Sequence, residues 1–562
     1  MGWIQDFVIN GWDFVQQNGI GVPALGIIAL LAVPYLFGSC YGDGAPRLRD
    51  PIPCVFNTFQ YFMANDCFMD RVKKILNKKG LAQFNLVNNR VFVVRGQENI
   101  QTVFGSSHRL GTEPIFVSFF FPVFYRMPKE DARRFARDLS GSGRLPAPGH
   151  EHLPAEKRIW QGYEHLFTKW MSQRGTCLQP ITEHLVQCYS RRLEECFAVD
   201  KLTTISLFDF CKQLVMGSYT EATFGPRIFE INPNLIQAFW ELDSQIPVLA
   251  LRIPGWLYAK PYKKQEAFFD MIRKWKASAL ANFDVNGPAV DSNWEPNFGA
   301  RINREVLFWI KENGFSDEFA TGSLSMFVFG MSTNSIPITM WMIIYMLKDN
   351  GILQLIRKDL ATVFTTDPKT GERRMNVDKL VKLPLMQSIF TEVLRLHMNF
   401  NLLRHVNESM NIDGNTVAKG SLLSVPMVMA HYDEDDWKNE EHPVTEFWAE
   451  RHITWVERTN AQGEVVTERA FTVASRPSSY FPFGGGRHIC PGRYLAKRLI
   501  FVATAVFISR FEIESVWWTK LDGTASDRPG EGDRRFSGVG SMPPDRDLKI
   551  RCKRVSQVVL SS

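Results

Sequence analysis

The chain has 562 residues, of which 45% are hydrophobic, 65 are basic and 59 are acidic, for a net charge of +6. So mild a balance, with no Lys/Arg run, excludes a nucleic-acid partner, and the 43 phenylalanines supply material for a large core and an apolar pocket. Nine cysteines, odd in number and without pattern, read as reduced thiols facing the cytosol rather than as a disulfide framework.

Residues 19–38 carry no charge, and roughly 20 apolar residues are enough to cross a bilayer. Asp6 and Asp13 are the only charged side chains before this stretch, and Arg47 and Arg49 are the first positive ones after it. That pattern is unlike a cleaved signal peptide and leaves the C-terminal bulk on the cytosolic side. The expectation is a membrane anchor and its exit over residues 1–45, stiffened beyond by Pro46, Pro51 and Pro53, with the folded domain over 46–562.

Gln83-Phe-Asn-Leu-Val and Arg90-Val-Phe-Val-Val-Arg95 predict two strands around an Asn88-Asn89 turn. Residues 115–124 hold Phe116, Phe119, Phe120, Phe121 and Phe124, which periodicity cannot divide between core and pocket wall. Residues 140–154, rich in Gly, Ser and Pro, predict a flexible surface loop. His150-Glu151-His152 within it lacks a third metal ligand and reads as solvated. Helices are expected over 157–171, 178–196 and 207–224. Residues 246–258 are apolar and broken by proline. They form either a buried connection or a membrane-touching surface, where Trp256 and Tyr258 would suit the headgroup boundary.

Ser316-Asp-Glu opens a long apolar helix running to about Lys348, with Ser316 as N-cap and two acids in the first turn. Its middle, Phe329-Gly-Met-Ser-Thr-Asn-Ser-Ile-Pro337, is polar. Pro337 cannot donate to the Thr333 carbonyl, which predicts a kink and an unpaired carbonyl beside small polar groups. Further on, Glu392 and Arg395 lie three apart on one helical face, where they can pair. Phe481-Pro-Phe-Gly-Gly-Gly-Arg-His-Ile-Cys-Pro-Gly-Arg493 then puts Cys490 between a glycine-rich loop and a helix. Pro491 suits the first helical position. Free N–H donors and the helix dipole favour a thiolate there, Gly484, Gly485 and Gly486 allow close approach, and Phe483 can shield the sulfur. Such a thiolate suits axial ligation of haem iron. No CxxC pair, HExxH or Gly-Lys-Ser/Thr accompanies it to favour zinc or phosphate.

Phe483-x-x-Gly486-x-His488-x-Cys490-x-Gly492 resembles the haem-binding loop of cytochrome P450 enzymes, with His488 where most members carry arginine. The central helix, Glu392-x-x-Arg395 and Glu446-Phe-Trp-Ala-Glu-Arg-His452 occur in that family's order, so the resemblance covers essentially the whole chain after the anchor. It implies a mainly α fold with small β-sheets: one large cytochrome P450-type catalytic domain behind an N-terminal transmembrane helix, although length alone suggests more than one domain. It implies heme b with an axial Cys490 thiolate. Phe483, Gly486, His488, Arg404 and Trp160 then become cofactor-binding residues, and Glu392, Arg395 and Arg451 a structural triad. It also implies electrons from NADPH through NADPH-cytochrome P450 reductase. A basic surface of Arg487, Arg493, Lys497 and Arg498, with Arg373 and Arg374, could dock that reductase. The location implied is the endoplasmic reticulum membrane, single-pass, with the catalytic domain cytosolic.

Against the family pattern, Ser332 stands at the acid position of the central helix and Asn334 at the threonine position, with Thr333 between them. These three are the candidate catalytic residues. Asn334-Ser-Ile-Pro337 and Arg535-Phe-Ser-Gly-Val-Gly-Ser-Met-Pro-Pro544 resemble segments of the sterol 7α- and 12α-hydroxylases and prostacyclin synthase. That group contains oxygenases and enzymes that rearrange an oxygenated substrate. The first reading is therefore a fungal-type tailoring monooxygenase acting on a terpenoid, steroid or other lipophilic natural product. The alternative is a haem-thiolate isomerase or dehydratase acting on a peroxide-type substrate without NADPH. A haem-binding sensor or carrier without turnover is a third.

Overall fold

The computed structural model describes residues 44–52, 55–76, 80–87, 89–172, 177–366, 373–459, 463–473 and 478–555. The predicted transmembrane segment lies outside the described residues. The helices that frame the site are α1 (Asn65–Leu76), α2 (Ile159–Trp170), α3 (Leu178–Cys196), α4 (Lys260–Ala281), α5 (Asp317–Lys348), α6 (Pro384–His397) and α7 (Arg493–Arg510). The run over 207–224 is helical as expected, with a π-helical stretch at Phe210–Val215. The phenylalanine-rich run is helical too, with a π-helical turn at Phe116–Phe120. Phe121 is buried and stacks on Trp160, while Phe116, Phe119 and Phe120 keep partial exposure.

Helix α5 is the axis of the fold. Its start is capped as the sequence predicts: Ser316 Oγ accepts from the Phe319 N–H at 3.2 Å, with Asp317 and Glu318 in the first turn. Helices α4, α6 and α7 pack against it. Among the described residues it alone is long and apolar enough to cross a membrane, but 72% of its most apolar stretch is buried inside the protein. Burial of most of its length marks a core helix.

The strands are short, and those used below are β1 (Leu81–Leu86), β2 (Asn89–Val94), β3 (Leu202–Ser206), β4 (Met398–Val406), β5 (Leu422–Pro426), β6 (Ile453–Thr459), β7 (Val465–Phe471), β8 (Phe511–Thr519), β9 (Val539–Ser541) and β10 (Asp547–Arg554). The main sheet has the order β1–β2–β5–β4–β9, and Leu110–Gly111 also pairs with β4. Its pairings are antiparallel except β2 with β5. A three-stranded sheet has the order β8–β10–β3, and β6 and β7 form a hairpin. Strand β9 matters most for function, because it carries a C-terminal segment onto the middle of α5.

Two stretches take more definite form in three dimensions. Residues 140–154 are irregular, as a loop should be, but their first part is tied down. The Arg158 guanidinium gathers the carbonyls of Ser140, Gly141, Gly143, Arg144 and Leu145, and Ser140 and Ser142 are buried. One buried cation with several carbonyl acceptors folds a Gly-rich segment that its composition alone would leave open. Residues 246–258 begin as a short helix, Ile246–Ala250, with Val248 and Leu249 buried, and then turn outward so that Trp256 is 83% exposed. The cysteines within the described residues are free thiols.

Candidate active site

Cys490 closes a loop built from its own backbone. Its N–H donates to the Phe483 carbonyl at 2.8 Å, and the Gly484 N–H donates to the Phe481 carbonyl at 2.8 Å. Gly484 and Gly486 have φ of +79° and +65°, a region that side chains rarely adopt. At Gly485 a Cβ would meet the Phe104 ring at 2.3 Å. Helix α7 starts at Arg493 with Gly492 before it, so Pro491 lies in the preceding turn and not at the first helical position. Cys490 keeps exposed surface, yet burial pushes its thiol above the ordinary value. The Gly492 and Arg493 N–H groups and the Arg493 charge oppose that push without cancelling it. The protein thus supplies thiolate-stabilising donors, and a coordinated cation would complete the deprotonation.

Beside the loop is a buried polar corner. Arg404, on β4, donates to the carbonyls of Leu403 at 2.9 Å and Gly485 at 3.3 Å, and burial lowers its pKa to about 10 against the pull of Glu113. His488 Nδ1 lies 3.2 Å from Thr112 Oγ1, while its Nε2 is buried without a hydrogen-bond partner. Burial, with Arg404 next, depresses His488 to about 4. Arg487 donates to Ser142 Oγ at 2.8 Å and sits 3.7 Å from Glu113, and its Nε is likewise buried and unpartnered. Burial pushes the Glu113 carboxyl up, but His488, its own backbone N–H, Ser142 and Arg487 outweigh it and hold the group below its usual range. Glu164 is raised to about 7, by burial first and Glu113 second. Two guanidinium groups, Arg404 and Arg487, with the enclosed, unfilled Arg487 Nε and the neutral His488 ring beside them, fit a carboxylate-bearing group such as the propionates of haem.

Glu113, Ser142, Glu164 and Thr112 were not singled out from sequence. No local pattern in the sequence marks them. Trp160 packs in the aromatic core. Its indole N–H donates to the Phe135 carbonyl at 2.9 Å and its ring is buried against Phe121 and Phe135. Its donor is therefore satisfied inside the core, so no unfilled group at Trp160 speaks for the expected cofactor-binding role.

The triad is tightly built. Both Glu392 carboxylate oxygens take Arg395 nitrogens at 2.8 Å, and Arg451 Nε reaches Oε1 at 2.8 Å. The remaining guanidinium nitrogens bond carbonyls: Arg395 to His431 and Val444, Arg451 to Trp437, Pro443 and Glu446. His452 adds a looser contact, Nε2 at 3.5 Å from Oε2. Burial alone would raise Glu392, but the Arg395 and His452 contacts and the two arginine charges bring it down to about 2. The proposed docking cations are less free than the sequence suggests. Arg487 turns into the polar corner, Arg498 pairs with Asp378 at 2.5 Å, and Lys497 donates to Gln387 at 2.7 Å.

Along α5, Met326, Phe329, Gly330 and Thr333 share one face at spacings i, i+3, i+4 and i+7, and none of them is buried although most of the helix is. Gly330 is exposed, and a Cβ there would meet nothing within 4 Å. This is the open face of the central helix. Ser332 is fully buried with an unpartnered hydroxyl, and Thr333 Oγ1 bonds back to the Phe329 carbonyl at 3.0 Å. Asn334 is half-buried one turn after Gly330, and its Oδ1 accepts from the Ser541 N–H at 3.0 Å. The Thr333 carbonyl, expected to be unpaired because of Pro337, lies 3.2 Å from the Ser541 hydroxyl.

The family model for cytochrome P450 matches residues 46–519. The chain belongs to the cytochrome P450 family. It is 35% identical over 499 residues to cytochrome P450 monooxygenase calL of Penicillium decumbens, covering 89% of this chain and 91% of that protein. It is 27% identical to cytochrome P450 monooxygenase fsoE of Humicola fuscoatra, covering 91% and 87%, and 26% identical to cytochrome P450 monooxygenase efuG of Hormonema carpetanum, covering 62% and 64%. Family and relatives together make this P450 an oxidoreductase of the monooxygenase type, and the family implies a haem-thiolate iron, a redox partner and a small-molecule substrate. The finer likeness to sterol hydroxylases and prostacyclin synthase rests on the motifs in α5 and before β10 alone.

Proposed function

We propose that this P450 oxidises a lipophilic natural product of the terpenoid or steroid type, taking electrons from NADPH through a partner reductase. The observation that carries the reading is the Cys490 loop, where a cysteine faced by two backbone N–H donors stands beside the Arg404–His488–Arg487 corner. In this assignment Cys490 is the iron ligand, Phe483 and Gly486 shape the loop around it, and His488 and Arg404 hold the propionates. When bound, the haem supplies the activation of dioxygen. The open face of α5 bounds the substrate space with Met326, Phe329 and Gly330, and Asn334 and Thr333 offer the polar groups that can hold water and pass protons there. The half-buried Phe116, Phe119 and Phe120 suit an apolar wall, and the fungal monooxygenases above support a tailoring role over the peroxide-rearranging alternative.

Two further assignments complete the reading. Residues 1–45 anchor the enzyme in the endoplasmic reticulum membrane and 46–562 form the catalytic domain, with the exposed Trp256 region as a second membrane contact. The decisive experiment is the carbon monoxide difference spectrum of reduced Cys490→Ser beside the parent, followed by product analysis with lipophilic candidates, reductase and NADPH. The variant is expected to lose the thiolate-type band, and an unchanged band overturns the ligand assignment. Full turnover of a peroxide substrate without NADPH or reductase overturns the monooxygenase reading while leaving Cys490 in place. Removal of residues 1–40 is expected to shift the protein toward the soluble fraction with haem retained, and loss of haem on truncation overturns the anchor.

A further inference from the structure

We propose that Ser541, together with its neighbour Gly540, is the positioning residue for Asn334, and that strand β9 holds the oxygen end of that asparagine so that its Nδ2 donors are the end left to serve the substrate space. The proposal rests on the placement of Asn334 beside the substrate space given above.

Pro337 removes the N–H that would have served the Thr333 carbonyl, so α5 has a broken rung beside its open face. Strand β9 fills the break from outside. The Ser541 hydroxyl lies 3.2 Å from both the Thr333 and the Asn334 carbonyls and can donate to either. The Ser541 N–H, left unused by the sheet, donates to Asn334 Oδ1 at 3.0 Å. One residue on, the Met542 carbonyl accepts from Trp341 Nε1 at 2.8 Å and the Met542 N–H donates to the His397 carbonyl at 2.9 Å. The strand is held on its other edge by β4, where Ser541 stands opposite Met398 and Gly540 opposite Asn399. Gly540 is required for the fit, since a Cβ there would stand 2.6 Å from Asn334 Oδ1.

The orientation of an amide side chain is set by its partners, and a backbone N–H can be served only by the oxygen end. With Oδ1 committed to Ser541, the end of Asn334 that remains is Nδ2, which makes no protein hydrogen bond among the described residues and is not enclosed. Asn334 therefore keeps both N–H donors of Nδ2 free of protein partners, while its oxygen end is drawn toward the strand and has one acceptor site already taken. A threonine hydroxyl at such a place could rotate between the two roles, whereas this asparagine cannot while β9 is in place. Ser541 acts through Asn334 and touches no reacting atom.

The test uses the full-length, haem-loaded enzyme, reduced and exposed to carbon monoxide, with the C–O stretching band read by infrared spectroscopy. A donor near the oxygen end of the probe lowers that frequency. Asn334→Leu removes the donor and tests the underlying reading, so its band is expected to move up. Gly540→Ala displaces the carboxamide without removing any polar group and is expected to move the band the same way. Ser541→Ala adds no atom, leaves the backbone N–H, and is expected to move it less, which keeps a readable variant if Gly540→Ala holds no haem. Ser541→Thr retains the hydroxyl and is expected to restore the parent band. If Asn334→Leu shifts the band but Gly540→Ala and Ser541→Ala leave it in place, the positioning role is overturned and the placement of Asn334 stands. If Asn334→Leu itself leaves the band unmoved, the placement of Asn334 is overturned and the proposal with it.

Discussion

Two buried charge clusters, one around Glu392 and one around His488, differ in how completely the protein satisfies them. Every guanidinium nitrogen of Arg395 and Arg451 has a partner, and Glu392 is drawn down to about 2 by the company it keeps. In the second cluster His488 Nε2 and Arg487 Nε are enclosed without partners, and Arg404 has carbonyls rather than carboxylates as acceptors. His452 Nε2 beside Glu392 is also enclosed without a hydrogen-bond partner, but the guanidinium–carboxylate network itself is closed and has no cation left for a ligand. A cationic corner left partly unsatisfied is what a carboxylate-bearing cofactor would complete. The difference teaches that charge and burial alone do not mark a binding site; guanidinium groups left without full pairing do.

The comparison breaks most decisively at Arg395. Arg395→Ala leaves Glu392 buried beside a lost partner, a defect of about 3–5 kcal/mol. The expected outcome is failure to fold, read as loss of soluble protein and of the cooperative thermal transition. Arg404→Met should behave in the opposite way. It removes a desolvated cation that makes no ion pair among the described residues, so the haem-free protein is expected to keep its melting temperature while haem retention falls, by roughly 1.5–3 kcal/mol for a charge-assisted hydrogen bond. Haem titration beside calorimetry separates the two. A lowered melting temperature of the haem-free Arg404→Met would place it in the structural class and collapse the distinction.

Acid sharpens the contrast further. Glu392 at about 2 lies below its ordinary 4.5, and His397 and His431, depressed to about 3 by burial first, lie below their ordinary 6.5. In all three the unfolded chain binds the proton more readily. Their contribution is present above the ordinary values and drains away as pH falls, through 6.5 toward 3 for the histidines and 4.5 toward 2 for Glu392. Glu164, raised to about 7, has the opposite sign: its folded form favours the proton, so its contribution falls as pH rises from 4.5 through 7. Glu164→Gln is expected to flatten the upper limb of the stability curve of the haem-free protein and leave the acid limb alone. Unfolding midpoints between pH 3 and 8 would show it, and an unchanged upper limb would remove Glu164 from the corner.

The smallest effect is expected at Trp160. If its N–H serves only the Phe135 carbonyl, Trp160→Phe weakens the fold by about 1 kcal/mol and leaves haem affinity unchanged. A clear loss of haem affinity in that variant would return Trp160 to the cofactor side of the comparison.

What the sequence determined by itself was local. The Ser316 cap, the Glu392–Arg395 spacing, the glycine-rich approach to Cys490 and the helices over 178–196 and 207–224 are written within a few neighbouring residues, where helix geometry and backbone freedom leave little choice. Which groups meet across the chain was decided only by the tertiary structure. Asn334 and Ser541 are 207 positions apart, and Arg487 and Ser142 are 345 apart. Residues 140–145 have the composition of a free loop until Arg158 gathers their carbonyls, and the Trp160 indole N–H, a candidate cofactor donor, donates to the Phe135 carbonyl. A long-range partner depends on sheet order and helix packing, which bring together segments whose local patterns carry no trace of each other. That is why the thiolate loop was legible in one dimension and the strand that orients Asn334 was not.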